Sequence, residues 1–256
     1  MQDTTANEDR TNDLGTWLPE TSEAVVVGAT GGIGAALTTR LVSHPAISTV
    51  HALSRSGRCK VNDGKVRPAA VDITDEASIQ RVAAAINAPR IVLIASGILH
   101  DATHRPEKSW REMDLDWLEK TMRINAFGPA LVAKHLLPKL PRQGKSVFAA
   151  ISARVGSIED NRLGGWYGYR ASKAALNMFI RSCSIELART HPEACILGLH
   201  PGTVDTALSH PFQRGVPAHK LFTADFSAGC LLSVIDGADA DDTGHVFAWD
   251  GQAIPF

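Results

Sequence analysis

Short apolar runs alternate with amphipathic stretches from residue 23 to the end of the chain. Residues 24–27 form a continuous apolar run, the pattern of a strand buried on both faces. A glycine turn follows, and apolar positions at helical period predict a helix over about 33–42. Residues 47–54 and 66–73 read as the second and third strands. Residues 77–86 read as a helix, with Asp75 and Glu76 where acids favour the first turn. The spacing predicts a fourth strand over 90–96 and a helical stretch over 117–140, interrupted at Gly128 and Pro129. A fifth strand over 146–151, the best helix of the chain over 169–188, a sixth strand over 194–199, a helix over 224–235 and a last strand over 246–249 complete the series.

Strands and helices in strict alternation, with the strands apolar throughout, imply a parallel sheet covered on both faces. The expectation is an α/β fold, a single doubly wound sheet spanning 23–256, whose ligands bind at the carboxyl ends of the strands. No internal repeat or linker divides it. Residues 1–22 read as a flexible polar leader, with Asp3, Glu8, Asp9, Asp13 and Glu20 against Arg10 and only Trp17 and Leu18 suited to packing.

Composition adds exclusions. The 256 residues carry a net charge of −1, with no long basic run, which argues against nucleic acid or an anionic membrane as partner. No apolar run reaches the roughly eighteen residues of a membrane span, and the start lacks the pattern of a signal peptide. Cys59, Cys183, Cys195 and Cys230 show no metal or redox spacing, which fits a reducing cytoplasm. His100 and His104 flank Asp101, but Pro106 and the polar surroundings place them in a loop rather than a metal site.

Two motifs carry chemistry. Directly after the first strand stands Gly28-Ala-Thr30-Gly31-Gly32-Ile33-Gly34, opening a helix. Glycines there let the backbone turn tightly and approach a pyrophosphate, whose charge a helix N-terminus stabilises. Tyr169 and Lys173 lie four residues apart on one helical face. An ammonium beside a phenol favours the phenolate, so the spacing predicts a tyrosine with a lowered pKa, able to exchange a proton near neutrality.

With these motifs in this order the chain resembles the short-chain dehydrogenase/reductase family over residues 23 to 251. Within it the chain is similar to the carbonyl-reductase and C-factor-like branch. The resemblance implies a Rossmann-type domain and a tetrad of asparagine, serine, tyrosine and lysine. Tyr169 would give its proton to the carbonyl oxygen, and Lys173 would bind the nicotinamide ribose. Asn125, in Asn125-Ala-Phe-Gly128, would support the lysine. In the glycine turn Gly28, Thr30, Gly31, Gly32, Ile33 and Gly34 would line the dinucleotide, and Asp72 would meet the adenine. Pro201-Gly202-Thr203-Val204-Asp205-Thr206 resembles the segment under the nicotinamide, with Val204 and Thr206 facing it. The second strand ends in Ser54-Arg55-Ser56 with no acid, so Arg55 is assigned to the 2′-phosphate of NADP, with NAD possible.

Two places depart from the family pattern. The chain reads Ser152-Ala153-Arg154-Val155-Gly156, so strict alignment puts Ala153 in the serine slot, and Ser152 is the candidate hydroxyl. Strand four ends Ile94-Ala95-Ser96-Gly97 where the family has asparagines; Ser96 and Gly97 are assigned to the cofactor, Gly97 allowing close backbone approach. Residues 209–222, with Phe212, Val216, Pro217, Leu221 and Phe222, fall where the family has a mobile lid. Ile98, Leu99, Arg154 and Trp166 are further candidates for the pocket border. The expected protein is a cytoplasmic, NADP-preferring oxidoreductase, a homo-oligomer, interconverting a small-molecule carbonyl compound and its alcohol. A nucleotide-binding signalling or redox-sensing protein with little catalysis is the alternative, favoured by Ala153 and the altered strand four. An isomerase that keeps its cofactor is a third reading, for which the short tail leaves little room.

Overall fold

A computed structural model describes residues 14–256. Eight strands form one sheet: β1 (Ser22–Val27), β2 (Ile47–Ser54), β3 (Val66–Ala70), β4 (Pro89–Ile94), β5 (Ser146–Ile151), β6 (Ala194–His200), β9 (Val246–Ala248) and β10 (Ala253–Ile254). Their order across it is β10-β9-β6-β5-β4-β1-β2-β3. All neighbours are parallel except β10, which runs antiparallel to β9 at one edge. The chain order reverses between β1 and β4, and that is where a doubly wound sheet opens its ligand crevice. Pro68 sits in β3, the opposite edge, where a missing N–H does not interrupt a ladder.

Side chains alternate across the sheet, so each strand feeds two cores. Val26, Leu93 and Leu197 pack with Leu37 and Leu41 of α1 (Gly32–Ser43) and Leu231 of α6 (Ala224–Gly237) on one face. Val25, Val92 and Ile196 pack on the other face with α2 (Glu76–Ala84), α4 (Gly128–Leu136) and α5 (Tyr167–Leu187). A short α3 (Leu115–Met122) lies against α5. No helix among the described residues is long and apolar enough to cross a membrane.

The departures from expectation have local causes. Gly128 and Pro129 open α4 rather than break a helix, because proline fits the first helical turn. The irregularity lies upstream, in a π-helical turn over Arg123–Phe127. The third strand ends at Ala70, although Val71 and Ile73 stay buried, so the alternation outlasts the ladder. A small second sheet pairs β7 (Thr203–Val204) with β8 (Leu221–Phe222). Of the expected flexible leader, residues 1–13 lie outside the described residues. From Leu14 the chain packs on the domain: Leu14 and Leu18 are buried, and Trp17 donates to Asp236 at 2.9 Å.

Candidate active site

The glycine turn joins β1 to α1 at the crevice. Gly28 has φ of +88°, and a Cβ there would meet Ser96 N at 2.8 Å, so the ends of β1 and β4 touch through bare backbone. A Cβ on Gly34 would collide with the Gly28 carbonyl. Gly31 caps α1 with no side-chain bond, leaving the first-turn N–H groups for an anion. The Ser96 hydroxyl is buried beside this turn without a partner among the described residues. Bare backbone, open N–H groups and an orphaned hydroxyl fit a phosphate-bearing cofactor.

At the far rim Arg55 is exposed just past β2. Asp72 is held below the usual carboxylate range by hydrogen bonds from the Thr74 backbone N–H and hydroxyl, with the Arg55 charge adding to them. Asp75, not Asp72, caps α2 by accepting from Ala77 N. At the opposite rim a Cβ on Gly32 would lie 2.6 Å from Thr206 Cγ2, so Thr206 closes on the N-terminus of α1. Val204 is buried, and the Pro201 carbonyl accepts from Ser227 Oγ at 2.9 Å. Ser209, which no sequence motif marks, ties this segment down by donating to the Val204 carbonyl and accepting from Thr206 N at 3.3 Å.

Between the rims three predicted residues converge. Asn125 is fully buried on the π-helical turn, and such turns recur at functional sites. Its Oδ1 accepts from Ile98 N and its Nδ2 donates to Ile98 O, both at 2.8 Å, and Nδ2 also donates to Ser172 Oγ at 3.0 Å. A Cβ on Gly97 would lie 3.4 Å from Asn125 Oδ1 and 3.8 Å from Lys173 Nζ. Lys173, buried, donates to the Ile151 carbonyl at 2.7 Å, with its Nζ 5.8 Å from the Tyr169 ring centroid. Asparagine, lysine, tyrosine and the bare end of strand four therefore meet at the carboxyl edge of the sheet.

The chain has relatives among known proteins. The sequence matches the short chain dehydrogenase family over residues 22–216. The chain belongs to that family. It is 38% identical over 146 residues to the C-signal of Myxococcus xanthus, covering 56% of this chain and 82% of that protein. It is 29% identical over 233 residues to a 1-hydroxy-2-glutathionyl-2-methyl-3-butene dehydrogenase of Rhodococcus sp. strain AD45, covering 91% and 99% of the two chains. The fold matches the NADPH-bound carbonyl reductase from chicken fatty liver with a TM-score of 0.82 at 23% identity, over 96% and 98% of the chains. At family level this short-chain dehydrogenase is an NAD(P)-dependent oxidoreductase acting between carbonyl and alcohol.

For a short-chain dehydrogenase, two expectations need correction. Tyr169 keeps part of its surface, yet burial pushes its hydroxyl up to about 12 instead of lowering it. Burial also pulls Lys173 down to about 8. The ammonium is itself desolvated and committed to the Ile151 carbonyl, so the loss of water outweighs the attraction predicted from spacing. The second correction is Ser152. The residue is 1% exposed, and its hydroxyl donates to Asn177 Oδ1 at 2.6 Å, between the end of β5 and α5. Ala153, one residue on, is buried and caps the following 3₁₀ turn, so the residue aligned with the family's serine offers no hydroxyl. On the neighbouring strand His200 holds Nδ1 buried without a partner among the described residues, and burial lowers its pKa to about 4.

The surroundings of Tyr169 are aromatic. The Trp166 ring lies 6.2 Å from Tyr169 and 5.4 Å from Phe212, and Phe212 meets His100 edge-on at 5.6 Å. His100 also reaches the Ala207 carbonyl at 3.2 Å, linking the segment after β4 to the stretch that follows β7. Phe222 instead packs under Gly202 and against Trp249 at 4.5 Å, anchoring the far end of residues 209–222. Leu221 belongs to β8, Val216 is half-buried and Pro217 is exposed. His104 stacks on Trp117 and pairs with Asp101, which Lys120 also holds at 2.7 Å.

Proposed function

We propose that this short-chain dehydrogenase is an NADP-preferring reductase of apolar, aromatic carbonyl compounds, with Tyr169 as the proton donor. The observation that carries the reading is the convergence of Asn125 Oδ1 and Lys173 Nζ on the Gly97 backbone, beside Tyr169. A nicotinamide dinucleotide held there would supply the hydride for carbonyl reduction. Gly28, Thr30, Gly31, Gly32, Ile33 and Gly34 would hold its pyrophosphate on the N-terminus of α1, and Thr206 would close over it. Ser96, Gly97, Pro201, Gly202 and Val204 would flank the nicotinamide, and Asp72 the adenine. Arg55 would pair with the 2′-phosphate. Arg58, exposed three residues later in a loop closed by Ser54 Oγ donating to its carbonyl at 2.8 Å, is a second cation for that phosphate.

On the protein's side the chemistry is proton transfer. The raised pKa keeps Tyr169 protonated at neutral pH, as an acid for reduction requires. Lys173 orients the ribose and supplies positive charge beside the developing alkoxide. With a methyl group at position 153, the Tyr169 hydroxyl carries more of the oxyanion contact. Trp166, Phe212 and His100 give a border of aromatic rings, tilted 59° and 65° to one another, that suits an aryl ketone, aldehyde or quinone. A homo-oligomer fits Phe127, Met178 and Ile185, which stay exposed on and before the outer faces of α4 and α5.

The test is NADPH oxidation by the wild type and Tyr169→Phe on aryl aldehydes, ketones and quinones, with NADPH binding measured alongside. Turnover lost with binding retained supports the reductase. Ala153, together with the likeness to a protein named C-signal, favours a second reading: a nucleotide-binding signalling protein with little catalysis. NADPH binding without turnover on any aryl carbonyl would select it.

A further inference from the structure

Helix α5 starts in an unusual way. Gly164, Gly165 and Trp166 all have left-handed backbone, with φ of +63°, +66° and +53°. For a bulky residue such as tryptophan that conformation is strained and persists only where surrounding contacts enforce it. Trp166 is also the N-cap of α5 and gives the helix no side-chain hydrogen bond. The first-turn N–H groups therefore need a partner from elsewhere.

That partner is Glu107, 61 residues earlier in the chain than Gly168. Its carboxyl oxygens both accept from Gly168 N, at 3.3 and 3.2 Å, and its backbone carbonyl accepts from Trp166 N at 2.5 Å. Glu107 is 3% exposed, and no cation among the described residues forms an ion pair with it. A buried acidic side chain is costly unless its hydrogen bonds are made, so this contact is a built one. The fit is close: a Cβ on Gly165 would lie 3.3 Å from Glu107 O, and one on Gly168 would lie 3.0 Å from Glu107 Oε1. The two anchor points, Trp166 and Gly168, bracket the first residue of α5, and Tyr169 follows directly.

We infer that Glu107 is a positioning residue: it clamps the start of α5, fixing Tyr169 at the carbonyl oxygen and the Trp166 ring against the substrate. The segment from Ile98 to Glu107 is then a strap held at both ends, by Asn125 at one and by α5 at the other. The inference rests on Tyr169 as the proton donor. A shift of an ångström in a reacting group costs on the order of 10²-fold in rate, so a loosened clamp shows in turnover while the distant cofactor turn is untouched.

The experiment compares Glu107→Gln, Glu107→Asp and Glu107→Ala in the full chain. An amide oxygen can still accept from Gly168 N; a side chain one methylene shorter cannot reach it. We expect Glu107→Gln to stay within about threefold of wild type in kcat and KM. Glu107→Asp and Glu107→Ala should lose about tenfold or more in kcat and raise KM, with NADPH Kd held within about twofold. Independently of turnover, acrylamide should quench the Trp166 fluorescence, taken as the difference from Trp166→Phe, more strongly in Glu107→Asp than in wild type. Wild-type kinetics in Glu107→Ala, or Glu107→Gln failing as badly as Glu107→Ala, would overturn the clamp. If Glu107→Ala does not fold, the Gln and Asp pair decides by the same criteria. Tyr169→Phe separates the two claims: full turnover there sinks the proton-donor reading, whereas lost turnover there with an unaffected Glu107→Asp sinks only the clamp.

Discussion

Asn125 closes a ring of two hydrogen bonds on Ile98, accepting from its N–H and donating to its carbonyl, each at 2.8 Å. The side chain thus replaces the ladder partner that the backbone loses where β4 has ended and the strap begins. It does so from a π-helical turn, whose extra residue aims the amide inward.

Asn125→Asp keeps the shape and removes the donor. A carboxylate oxygen would then face the Ile98 carbonyl, leaving a buried acceptor unpaired and opposed. We expect a loss of about 2–4 kcal/mol in stability by urea unfolding, and a fall in turnover because Ile98 borders Gly97 and the reacting groups. Stability within about 0.5 kcal/mol of wild type would show that the ring is dispensable.

The serine slot gives a paired prediction. Ser152→Ala removes a hydroxyl committed to Asn177, so it should cost about 1–2 kcal/mol of stability while changing turnover less than about threefold. Ala153→Ser places a hydroxyl at the position aligned with the family's serine, and turnover should rise by about tenfold or more, since one oxyanion donor is worth on the order of 10²–10³. Steady-state kinetics of both variants decide it. A large loss in Ser152→Ala with no gain in Ala153→Ser would restore Ser152 to the reaction.

What sequence makes legible here is what depends on local spacing. Apolar runs mark β2 and β5 to the residue, and glycine spacing marks the turn before α1. Tyr169 and Lys173 share a face because the helix sets that at four residues. What stays hidden depends on partners distant in sequence. The approach of Glu107 to Gly168 and of Ser152 to Asn177 has no local signature. The direction of the Tyr169 shift escapes spacing for the same reason: its charge partner is written four residues away, but its burial comes from the whole fold. The two-residue strand β10 is too short to produce any period.

Arg55 stands where β2 leaves the sheet, exposed and close enough to Asp72 for its charge to be felt there. Arg55→Ala should weaken NADPH by about tenfold or more and leave NADH within about twofold, because only NADPH carries the 2′-phosphate. Arg55→Ala with Arg58→Ala should weaken NADPH further if both cations share the phosphate. Titration of cofactor fluorescence reads both constants, and an equal loss for the two cofactors would remove the assignment.

The ionisation of Tyr169 and Lys173 fixes how the two directions of reaction respond to pH. Reduction needs the phenol protonated and the lysine charged. With Tyr169 near 12, the phenol keeps its proton throughout the accessible range. With Lys173 near 8, its charge is present below that value and falls about tenfold per unit above it. Reduction should therefore be flat from about pH 6 to 8 in kcat/KM and decline on the alkaline side. Oxidation of the alcohol needs the phenolate and the charged lysine together. The phenolate grows about tenfold per unit while the lysine stays charged, so oxidation should climb to about pH 8; above that the two trends cancel and the rate levels. Lys173→Arg keeps its charge well above that range, so it should remove the alkaline decline in reduction and let oxidation go on rising. Initial rates in both directions, for wild type and Lys173→Arg, read the four limbs. A wild-type reduction rate still constant at about pH 10 would show that Lys173 holds its proton, and that burial does not govern this pair.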